Sequence, residues 1–194
     1  MTIFSYIIIG LWVVLFAVWI FGALTAKRTA WARWRFNWSY RIAFVAIVFL
    51  ALRLPVIDRW LHELARVAHG DLLQTSLLWG AIGAGITLVG VGTAISARFT
   101  LGRNWGMPMT ERVEPELVTS GVYAYIRHPI YTGFMFGMIG AAIGESVVWL
   151  IPLVASAPYY FYSAKREEKL MLRLFPDEYP AYRARTRGFL PWIL

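Results

Sequence analysis

Two groups of ionisable residues stand beside long apolar segments and could do chemistry. The first is Arg127-His128, followed directly by Pro129 at the start of an apolar run. Proline is favoured in the first turn of a helix, so the sequence predicts a helix that begins here. The free N–H groups of that first turn, together with Arg127 and His128, could bind a carboxylate or a phosphate. The alternative, that the two side chains only cap the membrane interface, is equally consistent with the sequence.

The second group is Glu167-Glu168, which follows the last apolar run. Glu168 has Lys165 three positions before it, and the spacing predicts a surface ion pair for it. Glu167 has no charged residue three or four positions away on a helix, so nothing on its own helix explains it. We expect Glu167 to face protein or apolar surroundings at a membrane boundary, where an ionisable group is a functional candidate. A carboxylate solvated beyond the lipid headgroups is the alternative.

Other reactive patterns are missing from the sequence. There is no cysteine, which excludes disulfides, thiolate nucleophiles and cysteine-based metal clusters. The three histidines are scattered, and His62-Glu63 lacks the second histidine of a zinc-protease motif, so no metal site is predicted. The glycines at positions 80–92 are not a dinucleotide loop, because they lie inside an apolar run with no strand before it.

The composition predicts that these groups belong to a membrane protein. Of the 194 residues 59% are hydrophobic and only 15% are charged, whereas ordinary soluble domains are about 45–50% apolar and about 25% charged. A soluble globule of this size could not bury so much apolar surface. The same figures exclude intrinsic disorder.

Five apolar runs predict an all-α integral membrane bundle of five transmembrane helices. The runs are Tyr6–Leu24, Ile42–Ile57, Leu72–Ala97, Pro129–Gly144 and Val147–Ala164. Only two residues separate the fourth run from the fifth, so we expect these two helices to form a tight hairpin. A cleaved signal peptide at the N-terminus is disfavoured, because the basic residues follow the first run instead of preceding it.

The distribution of Lys and Arg predicts the orientation of the bundle. Segments 27–41, 98–127 and 165–194 carry five, four and seven basic residues, whereas the opposite side of a five-span arrangement carries three. Basic loops are retained in the cytoplasm, so we expect the N-terminus outside and the C-terminus inside. Topology and attraction to anionic membrane lipid explain the net charge of +8, so no nucleic acid partner is implied.

Small residues predict how the helices pack. Glycines recur along the fourth run at positions 133, 137, 140 and 144, and five more stand in the third run at positions 80, 83, 85, 90 and 92. Small residues at such spacing let two helix backbones approach closely in a membrane. We therefore expect close contact between helices along these runs.

The polar motifs together resemble the isoprenylcysteine carboxyl methyltransferase family. They are Leu117-Val118-Thr119-Ser120-Gly121-Val122-Tyr123, Arg127-His128-Pro129-x-Tyr131-x-Gly133, Glu167-Glu168 and Phe175-x-x-Glu178-Tyr179-x-x-Tyr182. The resemblance covers residues 98–192 and is specific in combination. The Arg-His-Pro block alone is less so, since phospholipid N-methyltransferases and sterol reductases carry similar blocks. The family resemblance as a whole implies a transmembrane part, residues 1–97, and a catalytic region, residues 98–194, that includes the hairpin 129–164.

The resemblance implies S-adenosylmethionine as the cofactor, bound between the hairpin and the C-terminal segment on the cytoplasmic side. By motif position, cofactor contacts carry over to Glu116, Leu117, Val118, Tyr123, His128, Pro129, Ile130, Tyr131 and Glu167. Glu116 is the one member of this set that lies outside the shared motif. The implied acceptor is a lipid-like prenylated cysteine that enters from the bilayer and is methylated on its carboxylate.

One position departs from the family pattern. Some members have an arginine four residues before the position of Glu167, where it is thought to meet the acceptor carboxylate, and this chain has Ser163 there. Arg166 or Arg173 could replace that arginine, so both join His128 and Glu167 as candidate catalytic residues. A phospholipid amine methyltransferase is the runner-up function, followed by a sterol-type reductase or a non-catalytic membrane scaffold.

Overall fold

A computed structural model describes residues 2–25, 77–105 and 116–190 of the protein. These residues contain five α-helices and no β-strand, which confirms the all-α prediction for this part of the chain. The helices are α1 Ile3–Thr25, α2 Leu77–Leu101, α3 Pro129–Gly144, α4 Leu150–Leu174 and α5 Tyr179–Arg185. Short 3₁₀ turns cover Gly102–Asn104, Gly121–Ala124 and Val147–Trp149.

Three stretches are long and apolar enough to cross a membrane: Ile3–Phe21, Leu77–Leu101 and Val147–Leu174. They correspond to the first, third and fifth apolar runs. The fourth run is α3, which has the predicted bounds and 16 residues. The second run, 42–57, lies outside the described residues. Beyond Ala164, α4 continues to Leu174 through lysines, arginines, glutamates and leucines, which are good helix formers.

Helices α2 and α3 pack backbone against backbone. A Cβ atom built on Gly83 would lie 2.3 Å from Gly144 Cα, and one built on Gly90 would lie 2.4 Å from Gly137 N. This confirms the predicted close helix contact for Gly83 and Gly90 of α2, while Gly80 packs against the Phe4 side chain of α1 and Gly85 has no described atom within 4 Å of its would-be Cβ. Gly92 likewise has no described atom within 4 Å of its would-be Cβ and is exposed.

Helix α1 packs on this pair through large apolar side chains. Ile8, Trp12 and Leu15 are buried in a core shared with α2 and α3. The Trp12 ring stacks on Trp149 with 4.9 Å between centroids, and Trp19 meets Phe134 of α3 edge to face at 5.2 Å. The apolar faces of α1, α2 and α3 therefore form one continuous core.

A short connection turns the chain from α3 into α4. The Trp149 Nε1 donates to the Glu145 carboxylate over 2.7 Å, and the Ser146 Oγ accepts from the backbone N–H of Val148. Further along α4, Tyr160 stacks on Tyr131 of α3 with 5.0 Å between ring centroids. The first turn of α3 consequently lies beside the middle of α4.

Residues 186–189, which we call the C-terminal strap, fix the backbone that enters α3. The strap pairs with Ile126 in an isolated parallel bridge at Arg187. The N–H of Arg127 donates to Arg187 O over 2.7 Å, and the N–H of His128 donates to Gly188 O over 2.9 Å. The Thr132 hydroxyl donates to Phe189 O over 2.6 Å. The strap thus holds both the last residues before α3 and its first turn.

Candidate active site

His128 stands at the start of α3 between the two glutamates of α4. Its Nδ1 lies 3.5 Å from Glu167 Oε2, and its Nε2 lies 3.3 Å from Glu168 Oε1. A neutral imidazole has one N–H, whereas an imidazolium has two. Because both ring nitrogens face carboxylate oxygens and the residue is only 7% exposed, the geometry favours the protonated ring.

Two opposing effects set the pKa of His128. Burial lowers it, while hydrogen bonds to Glu167 and Glu168 and the charges of these carboxylates raise it, and the net pKa lies above its ordinary value. The two carboxylates therefore favour the protonated form of the ring.

This arrangement makes the stability of the fold depend on pH. Because the pKa of His128 is higher in the folded protein, its contribution is fully present below its unfolded pKa of about 6.5. We expect the free energy of unfolding to fall as the pH rises through the folded pKa. Denaturant titrations of the detergent-solubilised protein from pH 6 upward would measure this. His128→Gln should abolish that part of the dependence, and an unchanged profile in the variant would contradict the assignment.

Glu168 is the most strongly paired carboxylate of the group. Arg127 Nε lies 2.7 Å from its Oε1 and Arg183 Nε lies 3.5 Å from its Oε2, and its side chain is only 16% exposed. The predicted surface pair with Lys165 is therefore wrong. It failed because the true partners come from other elements, while Lys165 is exposed.

Arg127 joins α4 to the C-terminal strap. Besides Glu168, its guanidinium donates to the carbonyl oxygens of Thr186 over 2.5 Å and Arg183 over 3.3 Å. These bonds fix the residue directly before His128. Arg127 is thus a positioning residue, whereas the sequence analysis offered it as a possible ligand for a carboxylate or a phosphate.

Glu167 is the carboxylate that stays partly open. It accepts a hydrogen bond from the Tyr131 hydroxyl over 2.5 Å, and its side chain is 27% exposed. Its expected protein-facing orientation is confirmed, with the partners supplied by α3. An open carboxylate beside two ordered side chains can bind a positively charged group.

The remaining predicted contact residues divide into two sets. Pro129 and Tyr131 are buried in the first turn of α3 and Ile130 is half-buried. Of the three, Tyr131 contacts both His128 and Glu167. Tyr123 is buried, and its carbonyl oxygen accepts from the Tyr182 hydroxyl over 2.8 Å.

Residues 116–118 are not joined to the His128 group by hydrogen bonds within the described parts of the chain. Glu116 is exposed, and its carboxylate accepts a hydrogen bond from the Asn104 amide. Leu117 and Val118 are half-buried.

The two candidate acceptor clamps are not brought into the group. Arg166 and Arg173 are exposed, and neither forms an ion pair with a described residue. Ser163 is completely buried, and its Oγ makes no well-formed hydrogen bond within the described residues. The described residues of α4 therefore supply a small buried hydroxyl where the family pattern has a cation.

Sequence reasoning also missed a buried cation near the end of α2. Arg98 is 4% exposed, its guanidinium lies 4.4 Å from the centre of the Trp105 ring, and Nη1 donates to Gly102 O over 2.9 Å. The sequence analysis counted Arg98 only as a loop charge. The tryptophan seven positions later was the signal that could have indicated a stacked arginine.

The group formed by His128, Glu167, Glu168 and Tyr131, with the first turn of α3, can bind several kinds of chemical group. Glu167 suits a cation, the free N–H groups of the first turn of α3 suit an anion, and the stacked rings of Tyr131 and Tyr160 offer an aromatic surface. No set of three or more histidines and acids suited to a metal ion occurs among the described residues.

Residues 78–178 match the phospholipid methyltransferase family, and the chain belongs to that family. The match includes the Arg127-His128-Pro129 turn and both glutamates of α4. It covers just over half of the chain and ends before the C-terminal strap.

Among curated relatives, the chain is similar to the human protein-S-isoprenylcysteine O-methyltransferase, with 32% identity over 156 residues, 74% of this chain and 52% of that protein. It is 33% identical over 82 residues to methanethiol S-methyltransferase 1 of Bradyrhizobium diazoefficiens, covering 42% of this chain and 28% of that protein. It is 32% identical over 116 residues to the nickel-cobalt-cadmium resistance protein NccN of Alcaligenes xylosoxydans, covering 58% of this chain and 54% of that protein. The chain spans about half or less of the length of these relatives.

Proposed function

We propose that this protein transfers a methyl group from S-adenosylmethionine to the carboxylate of a prenylated cysteine or a similar lipid-like acceptor. The observation that carries the proposal is the partly open Glu167, held by Tyr131 and His128 at the first turn of α3. Family membership and the relatives named protein-S-isoprenylcysteine O-methyltransferase support it.

The residues of this group fit S-adenosylmethionine by their chemistry. That molecule carries a sulfonium and an ammonium, a carboxylate and an adenine ring, and when bound it supplies an electrophilic methyl group. Glu167 would hold a positive group, the N–H groups of Ile130 and Tyr131 would hold the carboxylate, and His128 and Pro129 would shape the entrance of the turn. Glu116, Leu117, Val118 and Tyr123 complete the proposed contact set.

In the proposed reaction the protein has to align the acceptor with the methyl group and remove water from the acceptor, because an acceptor carboxylate is already ionised at neutral pH. No general base is needed for such an acceptor. Arg127 and Glu168 hold the position of His128, and buried Tyr131 fixes Glu167. The chain's own contribution is thus a rigid, charged surface at the start of α3.

We also propose the membrane arrangement predicted from the sequence. Five transmembrane helices, with α3 and α4 as a hairpin, would place the N-terminus outside and the catalytic region 98–194 at the cytoplasmic side. A lipid-like acceptor would enter sideways from the bilayer, and the soluble cofactor would enter from the cytoplasm. The candidate spans found among the described residues support this arrangement.

Cysteine labelling tests this orientation, because the chain has no native cysteine. In intact cells a membrane-impermeant maleimide should label Glu145→Cys, between α3 and α4, and should spare Arg185→Cys. Permeabilised cells supply the control, since both positions should then react. Labelling of Arg185→Cys alone in intact cells would reverse the proposed orientation.

The choice of acceptor gives a second test. Labelled S-adenosylmethionine is supplied with either a prenylated cysteine analogue or phosphatidylethanolamine. We expect label on the prenylated cysteine that mild base releases, because methyl esters are base-labile. The rate should be nearly flat between about pH 6.5 and 8.5, since a carboxylate has a pKa near 3.5. Base-stable label in lipid, with a rate that rises with pH, would replace this proposal by amine methylation.

Phospholipid amine methylation is the second candidate, favoured by the description of the matched family. An ammonium acceptor must lose a proton, so Glu167 or His128 would have to act as a base. His128 is poorly suited to that task, because both of its nitrogens already face carboxylates. The carboxylate acceptor therefore remains the proposed one.

A further inference from the structure

Four basic residues follow one another along a single face of α4, just after its apolar part. They are Lys165, Arg166, Lys169 and Arg173, and we call them the α4 basic face. At about 100° of rotation per residue they fall within an arc of about 100°. All four are exposed, and the ion pairs among the described residues involve other cations.

Exposed tyrosines precede the α4 basic face on the same side of the helix. Tyr162 is 55% exposed and falls within the same arc, and Tyr159 is 47% exposed at its edge. Tyrosine is enriched where a helix passes from hydrocarbon to headgroups. The order of aromatic and then basic residues is therefore that of a helix leaving the apolar layer of a membrane.

The α4 basic face points away from the candidate active site. Glu167 lies about 150° from the centre of the basic arc, and the buried Ser163 and Leu170 lie about 110° and about 90° from it. The basic residues are therefore free to contact something other than the cofactor or the acceptor. This also explains why Arg166 and Arg173 do not reach Glu167.

We propose that the α4 basic face binds the phosphate-bearing headgroups of anionic membrane lipids. The argument is charge complementarity: four exposed cations stand next to interfacial tyrosines on a helix that follows a span-length apolar segment. Each Lys or Arg near an anionic leaflet strengthens the attraction by roughly fivefold. A bound lipid layer here would set the depth of α4, and with it the depth of Glu167 on the opposite face.

The position of each cation along the helix predicts how strongly it contributes. At about 1.5 Å per residue, Lys169 lies about 6 Å and Arg173 about 12 Å beyond Lys165. The attraction falls off over about 8–10 Å at physiological salt. Neutralising Lys165 should therefore weaken lipid binding most, Lys169 less, and Arg173 least.

The test measures which lipid the purified full chain retains. The protein is equilibrated with equal amounts of phosphatidylglycerol and phosphatidylcholine of matched acyl chains, and native mass spectrometry gives the ratio of the two bound lipids. We expect the wild type to prefer phosphatidylglycerol. Lys165→Gln/Lys169→Gln should reduce that preference by several-fold, at most about 25-fold.

A matched control separates this face from net charge. Arg185→Gln/Arg187→Gln removes two exposed arginines from the C-terminal region and should leave the preference unchanged. Lys165→Arg/Lys169→Arg keeps the charge and should keep the preference even if the glutamine variant fails to fold. Equal losses in the two glutamine variants, loss in the arginine variant, or no preference in the wild type would overturn the proposal.

Discussion

Glu167→Gln is expected to weaken binding of S-adenosylmethionine by about 10- to 150-fold with little loss of stability. The carboxylate is partly open, and its described partners are Tyr131 and His128. A hydrogen bond to a charged group contributes roughly 1.5–3 kcal/mol, which corresponds to that change in affinity. Calorimetry on detergent-solubilised protein measures the affinity, and thermal unfolding measures the stability.

Glu168→Gln is the matched control, because it removes the neighbouring carboxylate. Its side chain is enclosed by Arg127, His128 and Arg183. Breaking a buried ion pair on one side destabilises a protein by about 3–5 kcal/mol. We therefore expect the larger loss of stability in Glu168→Gln and the larger direct loss of affinity in Glu167→Gln. Equal losses of both quantities in the two variants would contradict this division.

Gly90→Ala is expected to disrupt the contact between α2 and α3. The new Cβ would lie 2.4 Å from the backbone nitrogen of Gly137, and neither backbone can yield without separating the helices. Overpacking of this kind costs about 1–3 kcal/mol, occasionally more. Thermal unfolding in detergent should show a clear loss of stability.

Gly92→Ala is the control on the same helix. No described atom lies within 4 Å of its would-be Cβ. Alanine is favoured over glycine in a helix by up to about 1 kcal/mol, so this variant should be neutral or slightly more stable. If Gly92→Ala destabilised the protein as much as Gly90→Ala, the proposed α2–α3 contact would not be the source of the effect.

Local sequence rules predicted the elements that depend on local causes. Pro129 correctly marked the first residue of α3, and the spaced glycines correctly indicated where two backbones meet. The lack of a charged neighbour on its own helix correctly predicted that Glu167 faces the protein. In each case the pattern that carried the prediction lies within a single helix.

The rest depends on residues far apart in the chain. Helical spacing assigned Glu168 to Lys165, whereas its described partners Arg127 and Arg183 come from other elements. Arg127 precedes Glu168 by 41 positions, a pairing that no periodicity of α4 contains. The burial of Arg98 beneath Trp105 likewise depends on the fold of the turn after α2.

Because the C-terminal strap is made late in synthesis, the contacts around His128 can form only after most of the chain has been translated. Arg127 and Thr132 bond to residues 59 and 57 positions later in the chain. At about 5–20 residues per second, a ribosome needs roughly 3–12 s to make that stretch. Helices α1–α3 can insert and associate in the meantime, because membrane helices form before they assemble. In the proposed membrane arrangement, a nascent chain is therefore held by its first helices several seconds before the contacts around His128 can form.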